Sequence, residues 1–161
     1  MKKDLLLALI PLVISFGVPA FAQQASTADP QLTQAVQTAV TKFGEALKNK
    51  DAAAVAALFT EDGVVVTAKE PVSGQKAIEQ FFTKLFEQEQ ISDLTTTLDQ
   101  NSPVIFNDGK RGWITGVWSA TIQPPDKPSV SVKGYFASIV DREGDGVKIR
   151  TLEEFRSTAS R

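Results

Sequence analysis

The sequence predicts an α+β domain in which amino-terminal helices cover one face of a curved, mainly antiparallel sheet. Two patterns carry that prediction. Apolar residues recur at helical spacing from Leu32 to Phe86, and at strand spacing from Ile91 to the carboxyl terminus. The later strands are joined by turn-forming clusters rather than by helices, which favours a meander over alternating parallel units.

The amino terminus comes first. Lys2 and Lys3 form a short basic region, Leu5 to Val18 an apolar run, and Pro19 precedes Ala20-Phe21-Ala22, a small-x-small cleavage site. Residues 1–22 therefore read as a signal peptide, and the protein is expected to be periplasmic or secreted. A membrane anchor is disfavoured because Pro11, Gly17 and Pro19 interrupt the run and no basic cluster follows it. No contact with a membrane is expected after cleavage. Lipid attachment at that site is excluded, since the chain has no cysteine.

Cleavage leaves 139 residues, enough for one domain with a sizeable core. Residues 23–28 read as a flexible lead-in, 29–157 as the domain and 158–161 as a tail. The mature chain carries 15 basic and 18 acidic residues with no long run of either sign, so nucleic acid is not an expected partner. Cysteine and histidine are both absent. Disulfides, thiolate metal sites and serine–histidine or cysteine–histidine mechanisms are thereby excluded, and any acid–base chemistry falls to carboxylates, Lys, Tyr or water.

Asp29-Pro30 has the form of an N-cap followed by proline at the first helical position. Leu32, Val36, Val40, Phe43 and Leu47 then mark one face of a first helix ending near Asn49. Asp51 can cap a short second helix with Val55, Leu58 and Phe59 inward, stopped by Glu61-Asp62-Gly63. A strand is expected over Val64–Ala68, a turn over Pro71–Gly74 with Ser73 as the next cap, and a third helix with Ile78, Phe81, Phe82, Leu85 and Phe86 on a broad apolar stripe. That stripe reads as core rather than as a cofactor box. Lys76, Glu79, Lys84 and Glu87 read as its solvated side.

Period two then predicts strands over Asp93–Asp99, Val104–Phe106, Gly112–Ile122, Val130–Val140 and Val147–Phe155. Asn107-Asp108-Gly109, Pro124-Pro125-Asp126 and Glu143-Gly144-Asp145-Gly146 supply the turns. Asp141, Glu143, Asp145 and Gly146 imitate the opening of a calcium loop, but Leu152 stands where the twelfth-position Glu is required, so a hairpin is expected and no metal. Trp113 and Trp118, five apart, must point to opposite faces, and Trp118 shares the more apolar one with Ile114, Ala120 and Ile122. Tyr135 shares a face with Lys133, Ala137 and Ile139, where it either orients a ligand or sits at an edge or interface.

Phe43-Gly44-Glu45-Ala46-Leu47, Asp51, Ala57-Leu58-Phe59-Thr60-Glu61-Asp62-Gly63, Gly74-Gln75-Lys76-Ala77-Ile78 and Phe81-Phe82 resemble the amino half of the nuclear-transport-factor-2-like superfamily. Gly134-Tyr135-Phe136 and Gly146-Val147-Lys148-Ile149-Arg150 resemble its closing strands, and the likeness is greatest to the SnoaL-like and ketosteroid-isomerase-like branches. The resemblance implies a cone-shaped roll with an apolar pocket between three helices and a strongly curved sheet, and a homodimer through the outer sheet face. It also places the isomerase tyrosine at Phe43, the base aspartate at Thr67 and the second oxyanion acid near Phe136 or Ala137. None of these can fill those roles, so the steroid isomerase mechanism is not expected.

Along the last strand Val147, Ile149, Thr151, Glu153 and Phe155 alternate onto one face, which by resemblance looks toward the helices. Glu153 is the candidate catalytic carboxylate: buried, it can serve as acid or base; at an exposed strand end it is merely solvated. Phe43, Thr67, Phe82, Trp118, Phe136 and Phe155 are the expected pocket lining. The expected function is binding of a small apolar or amphipathic ligand, or of a partner protein, without a cofactor. The alternative is a cofactor-independent isomerase, dehydratase or cyclase using a pocket carboxylate.

Overall fold

A computed structural model describes residues 30–100, 102, 104–106 and 110–157. The leader, the lead-in, Asp29, the Asn107-Asp108-Gly109 turn and the tail lie outside the described residues. Among the described residues no helix is long and apolar enough to cross a membrane.

Helix α1, Pro30–Lys48, buries Leu32, Val36, Ala39, Ala46 and Leu47, as its spacing demands. Lys50 adopts a φ of 54°, and the amide of Asp51 returns to the carbonyl of Ala46, closing the helix and turning the chain. Helix α2 is Ala52–Ala57, with the Asp51 carboxylate accepting from the Ala54 amide at 2.9 Å, as the cap reading expected.

Strand β1, Phe59–Val66, begins earlier than the local pattern suggested. Phe59 is strand rather than helix because Leu58 and Phe59 meet the distant final strand, where the Ile149 amide donates to the Leu58 carbonyl at 2.8 Å. The expected Pro71–Gly74 turn contains a two-residue strand, β2, Val72–Ser73, paired to Val64 and Val65. Ser73 therefore does not cap the next helix. Gly74 takes that position with a φ of 88° and no side-chain cap, a backbone that suits glycine.

Helix α3, Gln75–Gln88, buries Ile78 and Phe82. Strands β3 (Gln90–Leu98), β4 (Val104–Phe106), β5 (Arg111–Gln123), β6 (Val130–Glu143) and β7 (Gly146–Arg156) follow the period-two segments, most of them extended by a few residues. The sheet order is β2-β1-β7-β6-β5-β3, with β4 also on β5. Among the described residues every pairing is antiparallel except β1 with β7. The Glu143–Gly146 hairpin forms as read, and among the described residues no acidic cluster is arranged to hold a metal.

The core lies between the helices and the concave sheet face, where Phe59, Leu32, Ile78, Val36, Val55 and Val140 are sealed from solvent. Rings interlock across it. Phe82 meets Phe43 edge-on at 6.1 Å and Phe81 at 5.2 Å, geometry that adds to the gain from apolar burial.

One irregularity sets the chemistry of the interior. Ile139 pairs with Thr151, yet Val140 pairs with Ile149, so β7 carries one residue more than β6 in that interval. This is a β-bulge, and it reverses the in–out alternation of β7 beyond it.

Candidate functional site

The concave face and the helices enclose a cavity of about 110 Å³. Phe43 and Val40 of α1, Phe82 and Leu85 of α3, Leu94 of β3, Trp118 of β5 and Phe136 of β6 form much of its wall. Two glycines make room for the aromatic floor. The Phe136 ring lies against Gly116, its partner on β5, and the Trp118 indole lies against Gly134, its partner on β6. A β-carbon at either glycine would sit within 3.0 Å of the ring, so the rings can lie flat only because those positions are bare.

Of the expected lining, Phe43, Phe82, Trp118 and Phe136 meet in this wall. Thr67, Phe155 and Glu153 do not. Thr67 stands beyond the end of β1, where its hydroxyl donates to the Glu70 carbonyl at 2.7 Å and accepts from the Lys69 and Glu70 amides, tying a tight turn. Phe155 pairs with Tyr135 on the outer face and is 51% exposed. Glu153 pairs with Ala137, also outward. The bulge is the reason: before it Val147 and Ile149 face in, and after it Leu152, Glu154 and Arg156 take the inner positions that strict alternation assigns to Thr151, Glu153 and Phe155.

Glu154 is accordingly the carboxylate that β7 places in the cavity wall, opposite Phe136. The residue is exposed as a whole, at the open end of the cavity, while its carboxyl is crowded by protein atoms of the wall. Loss of hydration pushes its carboxyl above the usual range, opposed by the positive charge of Arg156. Arg156 in turn approaches Glu89, at the end of α3, at 3.7 Å. These three charged side chains form one polar end of an otherwise apolar chamber. Ser138 is in the wall too, but its hydroxyl donates to the Thr151 carbonyl at 2.7 Å and is thereby satisfied. The Trp118 Nε1 is buried and has no hydrogen-bond partner among the described residues.

Neither Glu154, Arg156 nor Glu89 was reached from the sequence. A signal was present: the apolar residues of β7 are Val147, Ile149 and Leu152, spaced two and then three, and the longer step marks the inserted residue. The two tryptophans do part as expected, Trp118 inward and Trp113 outward at 39% exposure. Tyr135, 61% exposed, is on the outer face with Val117 and Phe155.

Similar proteins agree with this architecture. A ketosteroid isomerase-like protein from Erwinia carotovora atroseptica superposes with a TM-score of 0.70 at 14% identity, over 81% of this chain and 98% of its own. A candidate dehydratase of the nuclear-transport-factor-2-like family from Streptomyces avermitilis gives 0.61 at 16%, over 79% and 97%. A candidate scytalone dehydratase from Novosphingobium aromaticivorans gives 0.62 at 16%, over 78% and 84%. At these identities the likeness establishes the fold alone. No curated protein matches the chain in sequence. The model of the SnoaL-like domain matches residues 40–156, from the middle of α1 to the end of β7, and the chain belongs to that family.

Proposed function

We propose that this protein is exported and holds a small apolar or amphipathic molecule in the cone, with the outer sheet face joining two copies. The observation that carries the reading is the cavity itself: a mostly apolar wall with a few charged groups gathered at one end, the arrangement of small-molecule sites. Export is supported by the basic, apolar and small-x-small succession of residues 1–22. Self-association is supported by the exposed row Val117, Tyr135 and Phe155, with Trp113 beyond it. Lys133 and Glu153 flank that row on opposite sides, so a two-fold axis can bring each lysine to the other copy's glutamate.

A second reading has one specific observation in its favour. Glu154, held toward its protonated form inside an apolar chamber, is suited to cofactor-independent proton transfer, as in an isomerase, dehydratase or cyclase. Two of the similar structures bear the names of candidate dehydratases, which agrees with this. The steroid isomerase machinery has no support, since Phe43 lacks a hydroxyl and Thr67 is committed to its turn.

Native mass spectrometry of protein taken from the periplasm of cells expressing the full chain tests the first reading. Expected are a dimer, a subunit mass lacking residues 1–22 and a retained small molecule released on denaturation. A monomer of full-length mass with nothing bound, recovered only from the cytoplasm, would refute all three parts. For the second reading, Glu154→Gln abolishes any turnover found while preserving the fold; unchanged turnover refutes it.

A further inference from the structure

We propose, resting on the reading of the cone as a ligand site, that its ligand is a single-ring molecule bearing one neutral oxygen function, the ring between the aromatic walls and the oxygen at Glu154. Size comes first. The cavity holds about 110 Å³, less than the ~150 Å³ of an apolar protein cavity that accepts benzene, and far below the ~300–1,000 Å³ of sites for drug-sized molecules. One ring already fills that space, with its substituent at the polar end, where Glu154 and Arg156 are exposed; a second fused ring needs the walls to part or must stand out through that end. Those walls are braced: Phe82 packs against Phe43, Phe81 and Phe86 at once, and the floor rings of Phe136 and Trp118 lie against the backbone at Gly116 and Gly134.

Charge decides the polar group. Arg156 and Glu89 face each other at 3.7 Å and offset one another, which leaves the Glu154 carboxyl, with the Trp118 Nε1 nearby, as the polar groups that end offers a ligand. An anionic ligand would meet two carboxyls and a cation already engaged. A cationic one would approach Arg156. A neutral hydroxyl or carbonyl meets neither penalty, and the Glu154 carboxyl, favoured in its protonated form by the apolar surroundings, can donate to it or accept from it. Opposite Glu154 across the strand pair is Phe136, so the oxygen and the ring have adjacent places.

The test is calorimetric titration of periplasmic protein with toluene, 4-methylphenol, 2-naphthol and progesterone. Expected is binding of 4-methylphenol at least about tenfold tighter than toluene, as one hydrogen bond to the Glu154 carboxyl gives, and at least about tenfold tighter than either larger probe. Glu154→Leu reduces 4-methylphenol to the affinity of toluene, whereas Glu154→Gln, which keeps a hydrogen-bonding group, retains it within about threefold. Should Glu154→Leu not fold, the glutamine variant and the toluene comparison decide the matter. Equal or tighter binding of 2-naphthol or progesterone overturns the size argument while sparing the cone as a ligand site. Equal binding of toluene and 4-methylphenol overturns the polar assignment. Absence of binding by every probe overturns the ligand-site reading and this proposal with it.

Discussion

Gly134→Ala is expected to destabilise the protein and Gly44→Ala to stabilise it, and the opposite signs follow from what surrounds each glycine. A β-carbon on Gly134 would lie 2.0 Å from the Phe155 carbonyl oxygen and 2.9 Å from Cε2 and Cζ2 of Trp118. Carbon atoms of real side chains keep about 3.0 Å or more, so the β7 backbone must retreat by about 1 Å or the strand pair must tilt. Backbone paired through Gly134↔Arg156 does not yield as a side-chain tip does, and overpacking of this kind costs about 1–3 kcal/mol. Gly44 lies inside α1 with nothing within 4 Å of the added methyl, so alanine there gains about 0.5–1 kcal/mol of helix preference. For a domain of this size each kcal/mol moves the melting temperature by roughly 3–5 °C. Thermal unfolding followed by far-ultraviolet circular dichroism should therefore rank Gly44→Ala, wild type and Gly134→Ala in descending order. Trp118 fluorescence should shift in the last of these, because the indole must lift from the strand. A Gly134→Ala protein melting at or above the wild type would refute the close packing of ring on backbone.

Three other outcomes follow from the same geometry. Glu154 has a carboxyl raised in the folded state, so between the unfolded value of about 4.3 and the folded one the native protein binds more protons, and stability falls as pH rises through that window; Glu154→Leu should remove this slope in urea unfolding from pH 4 to 8, and an unchanged slope would refute burial as its cause. Asp141 is lowered, chiefly by its hydrogen bond to Arg111 at 2.6 Å and then by Arg150, so its contribution is present above the unfolded value of about 3.9 and is lost as pH falls through the folded one; Asp141→Asn should lower the urea midpoint at pH 7 and flatten the acid limb, and identical curves would show the ion pairs to be idle. Asp51→Ala removes the acceptor for the Ala54 amide and should cost about 1 kcal/mol by urea unfolding, with a loss below about 0.3 kcal/mol counting against the cap.

Much of the fold was legible because it rests on short-range periodicity. The four, four, three, four spacing of α1, the cap at Asp51 and the alternation in β5 and β6 are local consequences of burying one face, and they appear where read. What escaped depends on partners far along the chain. Phe59 continues the apolar run of α2, and only its pairing to Ile149 makes it strand. Thr67 was placed in the pocket by likeness to a family whose aspartate it replaces, whereas its hydroxyl is occupied by the turn to Glu70. The site divided in the same way: four aromatic positions follow from helix and strand faces, while Glu154 depends on a register shift between two strands.

That shift decides which of two adjacent glutamates meets the cavity, and the hydrophobic effect decides the shift. Val147, Ile149 and Leu152 are all buried. Spaced two and three apart, they cannot all face inward on a regular strand, so either one is expelled or one residue is added between them. Expelling Leu152 forfeits about 1.5–3 kcal/mol of burial and turns Glu153 into the apolar interior, a further cost. Adding a residue costs locally disrupted pairing, and here the outer face offsets it. Arg150, within the bulged stretch, reaches Asp62 at 2.8 Å and also engages Asp141, which Arg111 holds in turn. Asp62 belongs to the irregular stretch of β1 between Phe59 and Val64, so two strand irregularities face each other and are joined by one ion pair. The placement of Glu154 inside the cone is thus enforced from both sides of the sheet, by leucine burial within and by a carboxylate–guanidinium network without.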